Sequence, residues 1–332
     1  MTALFGRLQD GAAVERLTLT DGPDSLRVNL LTYGATVQGL SVPVGHDHVE
    51  TVVGFDTLAA YEADTTYQGC VIGRLANRIA GARFRHDGRD YHITANENGN
   101  ALHGGERGLS RRLWRADRRR GDHDPIVLRY VSPAGEEGFP GTMEAMLQVS
   151  LIDRMSLEIV YRAEVDRDCP IDLTHHMYFN LGGQPIKDHL IGVAGDWVQE
   201  VDTSYLATGN RLAVDQTPFD LRWPRTIGAI EAGRHAQLMS IGLNQNWILS
   251  PTRKAAAELI APDRRLAMDV FTDAPCLQLW AGLAHTVFAG GAVAIEPQGF
   301  IDAVNQPAFP SPWLRPGQVF ARKTQYRFRS WL

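Results

Sequence analysis

The sequence predicts an all-β chain folded as a large antiparallel β-sandwich. Three observations carry this expectation. Apolar side chains fall on every second residue in many short runs, turn residues punctuate those runs at short intervals, and helical periodicity is weak throughout. In chain order, Val14–Thr20 (VERLTLT), Ser25–Leu31 (SLRVNLL), Ile126–Val131 (IVLRYV), Glu144–Ile152 (EAMLQVSLI) and Ser156–Ala163 (SLEIVYRA) each show the period of a half-buried strand. The last run, Thr324–Leu332, alternates Tyr326, Phe328 and Trp331 with polar residues. Asp21-Gly22-Pro23, His86-Asp87-Gly88 and Ser132-Pro133-Ala134-Gly135 supply turns between such runs. Only Thr57–Glu62 reads as a short helical turn. The 32 glycines and 17 prolines are scattered rather than gathered into a linker, so residues 1–332 are expected to form a single domain.

Composition narrows the function. With 44% hydrophobic and 21% charged residues, the chain has an ordinary globular balance. A formal net charge of −5 argues against nucleic acid, whose binders present basic faces, and does not favour an anionic substrate. The Arg111–Arg120 stretch is the exception; it is read as a solvated strand and turn with Trp114 facing inward. Cys70, Cys169 and Cys276 are odd in number and widely spaced, which gives neither a disulfide framework nor a metal spacing and fits a reducing compartment. Nothing in MTALFGRLQDGAAVERLTLTDG reads as a signal peptide, and no segment has the ~18 apolar residues of a membrane span. A cytoplasmic protein is expected. No phosphate-binding glycine loop and no G-x-S-x-G nucleophile elbow occur.

Four places hold side chains with chemical reach. In Gly73-Arg74-Leu75-Ala76-Asn77-Arg78-Ile79, Asn77 and Arg78 can donate to ligand hydroxyls, although Arg78 reads equally well as a surface residue at a turn. In Asn96 through Gly105, His103 precedes two glycines that let backbone approach closely and leave its imidazole accessible. In Thr174-His175-His176-Met177-Tyr178-Phe179-Asn180-Leu181, the adjacent histidines face opposite ways on a strand and make a poor metal pair. Finally, the apolar run Gly291–Ile295 delivers Glu296 at its end, before Pro297 and Gln298. A carboxyl there is costly to bury unless it is used or paired with an arginine. His46-Asp47-His48 has metal-ligand types but no third ligand nearby, so no metal is expected. Two histidines, a carboxyl and an arginine suit acid–base chemistry on a neutral substrate.

These segments, together with Val53-Gly54-Phe55-Asp56, Glu137-Gly138-Phe139-Pro140-Gly141 and Pro310-Ser311-Pro312-Trp313-Leu314-Arg315-Pro316-Gly317, resemble the aldose 1-epimerase (galactose mutarotase) family, in the family's order and through most of the chain. The resemblance implies a β-supersandwich and anomer interconversion of a free aldose without cofactor. It places Glu296 as general base on the anomeric hydroxyl and His176 as general acid on the ring oxygen. Arg78, His103, Asn77, Asn244, Tyr178 and Gln298 then contact the sugar. Three positions depart from the family pattern: Asn244 stands where an aspartate is usual, Gln245 where a histidine follows it, and His175 where an asparagine is usual. Asn244 is therefore expected to alter sugar preference, unless another acid such as Asp269 or Asp273 takes over the charge. The rival readings are a non-catalytic sugar-binding relative and a hexose-phosphate epimerase relative. A glycosidase would require a second placed carboxyl. A monomer or homodimer acting on a small sugar is expected.

Overall fold

Three antiparallel sheets carry the alternating runs; the computed structural model describes residues 2–251, 255–281 and 290–331. The first sheet is a five-stranded meander of Thr2–Arg7, Ala13–Thr20, Arg27–Leu31, Val37–Val44 and Asp47–Glu50. The second has nine strands, with Met143–Asp153, Ser156–Val165 and Phe320–Ser330 adjacent near its middle. The third has six, in the order Tyr178–Phe179, Val293–Gln298, Cys276–Trp280, Asn244–Leu249, Gly195–Val201 and Ala207–Ala213.

The expected runs form strands for the reason their period suggests, although that of Ser25–Leu31 begins only at Arg27. On Met143–Asp153, the side chains of Met143, Ala145, Leu147 and Val149 are buried while Glu144 is exposed. On Phe320–Ser330, Arg322, Thr324, Tyr326 and Phe328 point inward. The alternation stops there. Trp331 is 52% exposed and lies beside the Arg329 guanidinium, while Leu332 lies outside the described residues. The helical turn is present as Leu58–Ala63, capped by the Thr57 hydroxyl, which accepts from the Ala60 N–H.

One apolar cluster unites the three sheets. It contains Leu17 and Val28 from the first, Leu147, Ile159 and Tyr326 from the second, and Trp247, Leu277 and Ile295 from the third. Fully burying such a side chain contributes about 1.5–3 kcal/mol, so the sandwich is held from its middle. Phe179 and Tyr326 meet across it, with ring centroids 5.4 Å apart.

The basic stretch 111–120 is a strand and turn that is partly solvated, with Arg115, Arg118 and Arg120 exposed and its other three arginines bound to the protein. Trp114 is buried, Arg111 donates to the carbonyls of Glu62 and Asp64, Arg112 pairs with Glu136, and Arg119 donates to the Thr18, Asp122 and Asp124 carbonyls. His46 and Asp47 are exposed, and His48 lies 2.6 Å from the Pro23 carbonyl. Among the described residues no helix is long and apolar enough to cross a membrane.

Candidate active site

The six-stranded sheet turns Trp247, Leu277, Leu279 and Ile295 into the core, so alternate residues face the other way. On that second face the polar residues form a row. Asn246 lies opposite Gln278, and Gln278 opposite Glu296; the Asn246 amide continues the row to Gln199, donating to its Oε1 at 2.6 Å. Glu296 therefore sits within the Val293–Gln298 strand, not at its end as the proline suggested. Beyond Ala294 the strand is paired on one side only, where a residue lacking an N–H is tolerated.

Above this row stand the two histidines. His176 Nε2 is 3.5 Å from Glu296 Oε1, and both side chains are almost fully buried. His103 meets His176 edge to face with centroids 5.3 Å apart. His103, His176 and Glu296 each offer a ligand atom within 4.8 Å of the others. This set could hold a divalent ion, as could a second one, His86, Asp87 and Asp168; His46 and His48 belong to neither.

His103 is buried, not accessible as its glycine-rich loop suggested. The loop is indeed close-packed: a Cβ on Gly104 would lie 1.9 Å from the Gly73 carbonyl oxygen. His103 Nδ1 accepts from the Asn77 N–H at 3.2 Å, which leaves the ring proton of the neutral form on Nε2. Burial, and after it the charges of His176 and Arg78, hold His103 well below its ordinary range. Desolvation likewise lowers His176 to about 3, while it raises Glu296 to about 8. Arg78 draws Glu296 down and Asp172 pushes it up, but burial dominates both. Near neutrality these opposed shifts place the proton of the pair on the carboxyl.

Arg78 is a buried residue of the Arg78–Ile79 strand, not a surface residue at a turn. Glu97 grips it from both sides of the carboxylate, at 2.5 Å and 2.8 Å, and the Tyr205 ring lies 4.6 Å from its guanidinium carbon. Asn77 turns its amide to the protein, accepting from the Arg78 N–H and donating to Gln278. The Tyr178 hydroxyl donates to the Thr66 carbonyl at 2.7 Å, and its ring packs on His176 and Trp280. Gln298, fully buried, leaves Oε1 without a hydrogen-bond partner two residues beyond Glu296 on the same face. Asn244 lies at the rim, its Oδ1 accepting from Gln278 at 2.6 Å.

The departures from the family pattern have separate fates. Gln245 folds back on its own loop, donating to the Gly242 carbonyl and accepting from the Asn244 N–H. His175 faces away from His176, between the Tyr161 hydroxyl and the Ala35 carbonyl. Asp269 is bound to Arg329, and Asp273 accepts from the Lys323 N–H, so neither supplies an acid at Asn244. The alternative of a structural ion pair for Glu296 also fails, because no arginine bridges it among the described residues. Tyr67, whose ring meets His103 edge to face with centroids 4.7 Å apart, was not singled out from the sequence, nor were Glu97, Tyr205, Gln278 and Trp280. Trp280 is the apolar neighbour of Gln278 on a buried strand, and nothing in its local pattern marks it as facing a site.

The family model for aldose 1-epimerase matches residues 15–327. Human galactose mutarotase is 36% identical, over 98% of this chain and 97% of its own length. Aldose 1-epimerase of Escherichia coli K12 is 30% identical, over 96% of each chain. Among solved structures, an aldose epimerase homologue from C. elegans superposes with a TM-score of 0.88 at 26% identity, covering 96% of this chain and 99% of its own. Galactose 1-epimerase from Lactobacillus acidophilus does so at 0.87 and 23% identity, over 99% and 98%. The second comparison speaks for the fold.

Proposed function

The chain belongs to the aldose 1-epimerase family, and from that premise we propose that Glu296 and His176 move the protons of the reaction on a free aldose. The protein is an isomerase that interconverts α and β anomers. The observation that carries the residue assignment is the 3.5 Å approach of His176 Nε2 to Glu296 Oε1 in a buried site.

Ring opening needs a base and an acid together. When a sugar enters, its hydroxyls and the Arg78 charge favour the carboxylate, and the shared proton passes to His176. The Glu296 carboxylate then takes the proton from the anomeric hydroxyl while His176 gives its proton to the ring oxygen. The bond from C1 to the ring oxygen breaks as the C1 carbonyl forms. Rotation about C1–C2 presents the other face of the carbonyl. Reclosure reverses the roles: neutral His176 takes the proton of the chain hydroxyl, and protonated Glu296 returns one to the carbonyl oxygen. The open-chain stage thus coincides with the protonation state that burial favours in the pair. His103, with its proton on Nε2, and Arg78, clamped by Glu97, orient the sugar oxygens.

A pure binding role is disfavoured, since an unbridged buried carboxyl costs stability and recognition alone does not need it. Within the basic stretch Arg111, Arg112 and Arg119 are engaged with protein groups, and the sugar phosphates of the panel below test the exposed Arg115, Arg118 and Arg120. We read the chain as one domain, which the single apolar cluster spanning the three sheets supports. The three cysteines, buried and free, agree with the cytoplasm; a monomer or homodimer remains our reading. Exchange between anomers, followed by polarimetry or NMR over a panel of hexoses, pentoses, 6-deoxy sugars and sugar phosphates, tests the function. His176→Ala is expected to lower turnover by roughly 10²-fold or more. A folded variant with near-wild-type exchange overturns the assignment.

A further inference from the structure

Three amides from distant parts of the chain are linked through hydrogen bonds whose direction is fixed at both ends. The backbone N–H of Arg78 can only donate, and it donates to Asn77 Oδ1 at 3.0 Å. Asn77 must then present its NH2, which reaches Gln278 Oε1 at 3.3 Å. Gln278 in turn presents its own NH2 to Asn244 Oδ1 at 2.6 Å. The Leu279 carbonyl, which can only accept, takes the other proton of that NH2 at 3.3 Å and fixes the same orientation independently. At the far end Asn244 has one lone pair of its oxygen engaged by Gln278, and that bond fixes which way its amide points. Its NH2 donates to no protein group among the described residues, and the residue is only partly buried at the rim of the site.

We propose that Asn244 faces the sugar as a hydrogen-bond donor, so that this enzyme selects aldoses by an acceptor atom at that position. An aspartate held by the same Gln278 would offer its second oxygen as an acceptor and would require a hydroxyl proton from the sugar. The amide reverses that requirement. The accepted class includes aldoses whose group at that position carries no proton, among them a carboxylate oxygen, which an aspartate would repel. The inference rests on the proposed reaction but concerns recognition, not proton transfer.

Deoxyfluoro sugars separate the two polarities, because fluorine accepts weakly and never donates. Anomer exchange is measured by NMR for wild type and Asn244→Asp on a good aldose substrate and on its monodeoxy and monodeoxyfluoro analogues at each non-anomeric carbon. At one carbon, wild type is expected to keep kcat/KM within about threefold on replacing hydroxyl by fluorine, yet to lose about tenfold on replacing it by hydrogen. At that carbon Asn244→Asp is expected to lose about tenfold with fluorine. Equal losses for fluorine and hydrogen at every carbon in wild type, or fluorine tolerance unchanged in Asn244→Asp, overturn the proposal. The same analogues titrated calorimetrically into Glu296→Gln read the polarity without turnover. Failure of the amide assignment and failure of the reaction assignment are thereby told apart.

Discussion

Replacing Glu296 by glutamine should make the protein more stable and much less active, and the stability gain should depend on pH. Burial holds this carboxyl protonated up to about 8, against an ordinary value of 4.5. An unfolded chain releases the proton above 4.5 while the folded chain keeps it. Folding therefore loses stability as pH rises from 4.5 towards 8, by 1.36 kcal/mol for each tenfold change. The loss amounts to at most about 3 kcal/mol at pH 7 and less than about 1 kcal/mol at pH 5. Glutamine keeps the shape and titrates nowhere, so Glu296→Gln should recover that difference at pH 7 and little of it at pH 5. Urea unfolding of both proteins at the two pH values measures it, with circular dichroism as the readout. Anomer exchange of the same samples should fall by roughly 10²-fold or more. A stability difference that is the same at pH 5 and pH 7 would refute the burial argument, and retained exchange would refute the role as base.

Three further outcomes follow from the same geometry. Because the His176–Glu296 pair works with one proton, kcat/KM should be level near neutrality and fall above about pH 8, where Glu296 releases it; a rise through pH 8 would mean that the fully deprotonated pair is active. Glu97→Gln removes the carboxylate that grips Arg78, so KM should rise about tenfold with a smaller fall in kcat, and the alkaline decline should move to lower pH as the uncompensated guanidinium favours the Glu296 carboxylate; an unchanged KM and pH profile would make Glu97 merely structural. Exhaustive EDTA treatment and desalting should leave activity intact, whereas loss restored by one divalent ion would show that a metal is required, with His103, His176 and Glu296 or His86, Asp87 and Asp168 as its candidate ligands.

The sheets were legible because burial on one face imposes a period of two, which Met143–Val149 and Arg322–Phe328 display. Strands of two residues, such as Val71–Ile72 and Tyr178–Phe179, leave no period to detect. Pro297 misled, since a proline marks the end of most strands but is accepted where one edge is unpaired. Likewise, the glycines beside His103 suggested exposure, whereas they serve a close backbone approach that buries the ring. Glu296 stood out because a carboxyl after an apolar run is costly to bury without a use, whereas His176 was marked only by the family resemblance. Gln278, Glu97 and Tyr205 did not stand out, because their meaning lies in partners up to about two hundred residues away in sequence.

The row Gln199, Asn246, Gln278 and Glu296 draws one side chain from each of four neighbouring strands. Each is one residue away from a side chain that faces the core, such as Val198, Trp247, Leu277 and Ile295. A slip of one residue in any of these strands would exchange the two faces, putting an amide or carboxyl into the hydrocarbon interior and an apolar side chain into the site. Misaligned folding intermediates are thus penalised twice, once by buried polar groups and once by apolar surface left in water. Catalytic competence and correct strand alignment arise in the same step. Recovery of anomer exchange during refolding should therefore coincide with the final cooperative phase, with no partly active species preceding it.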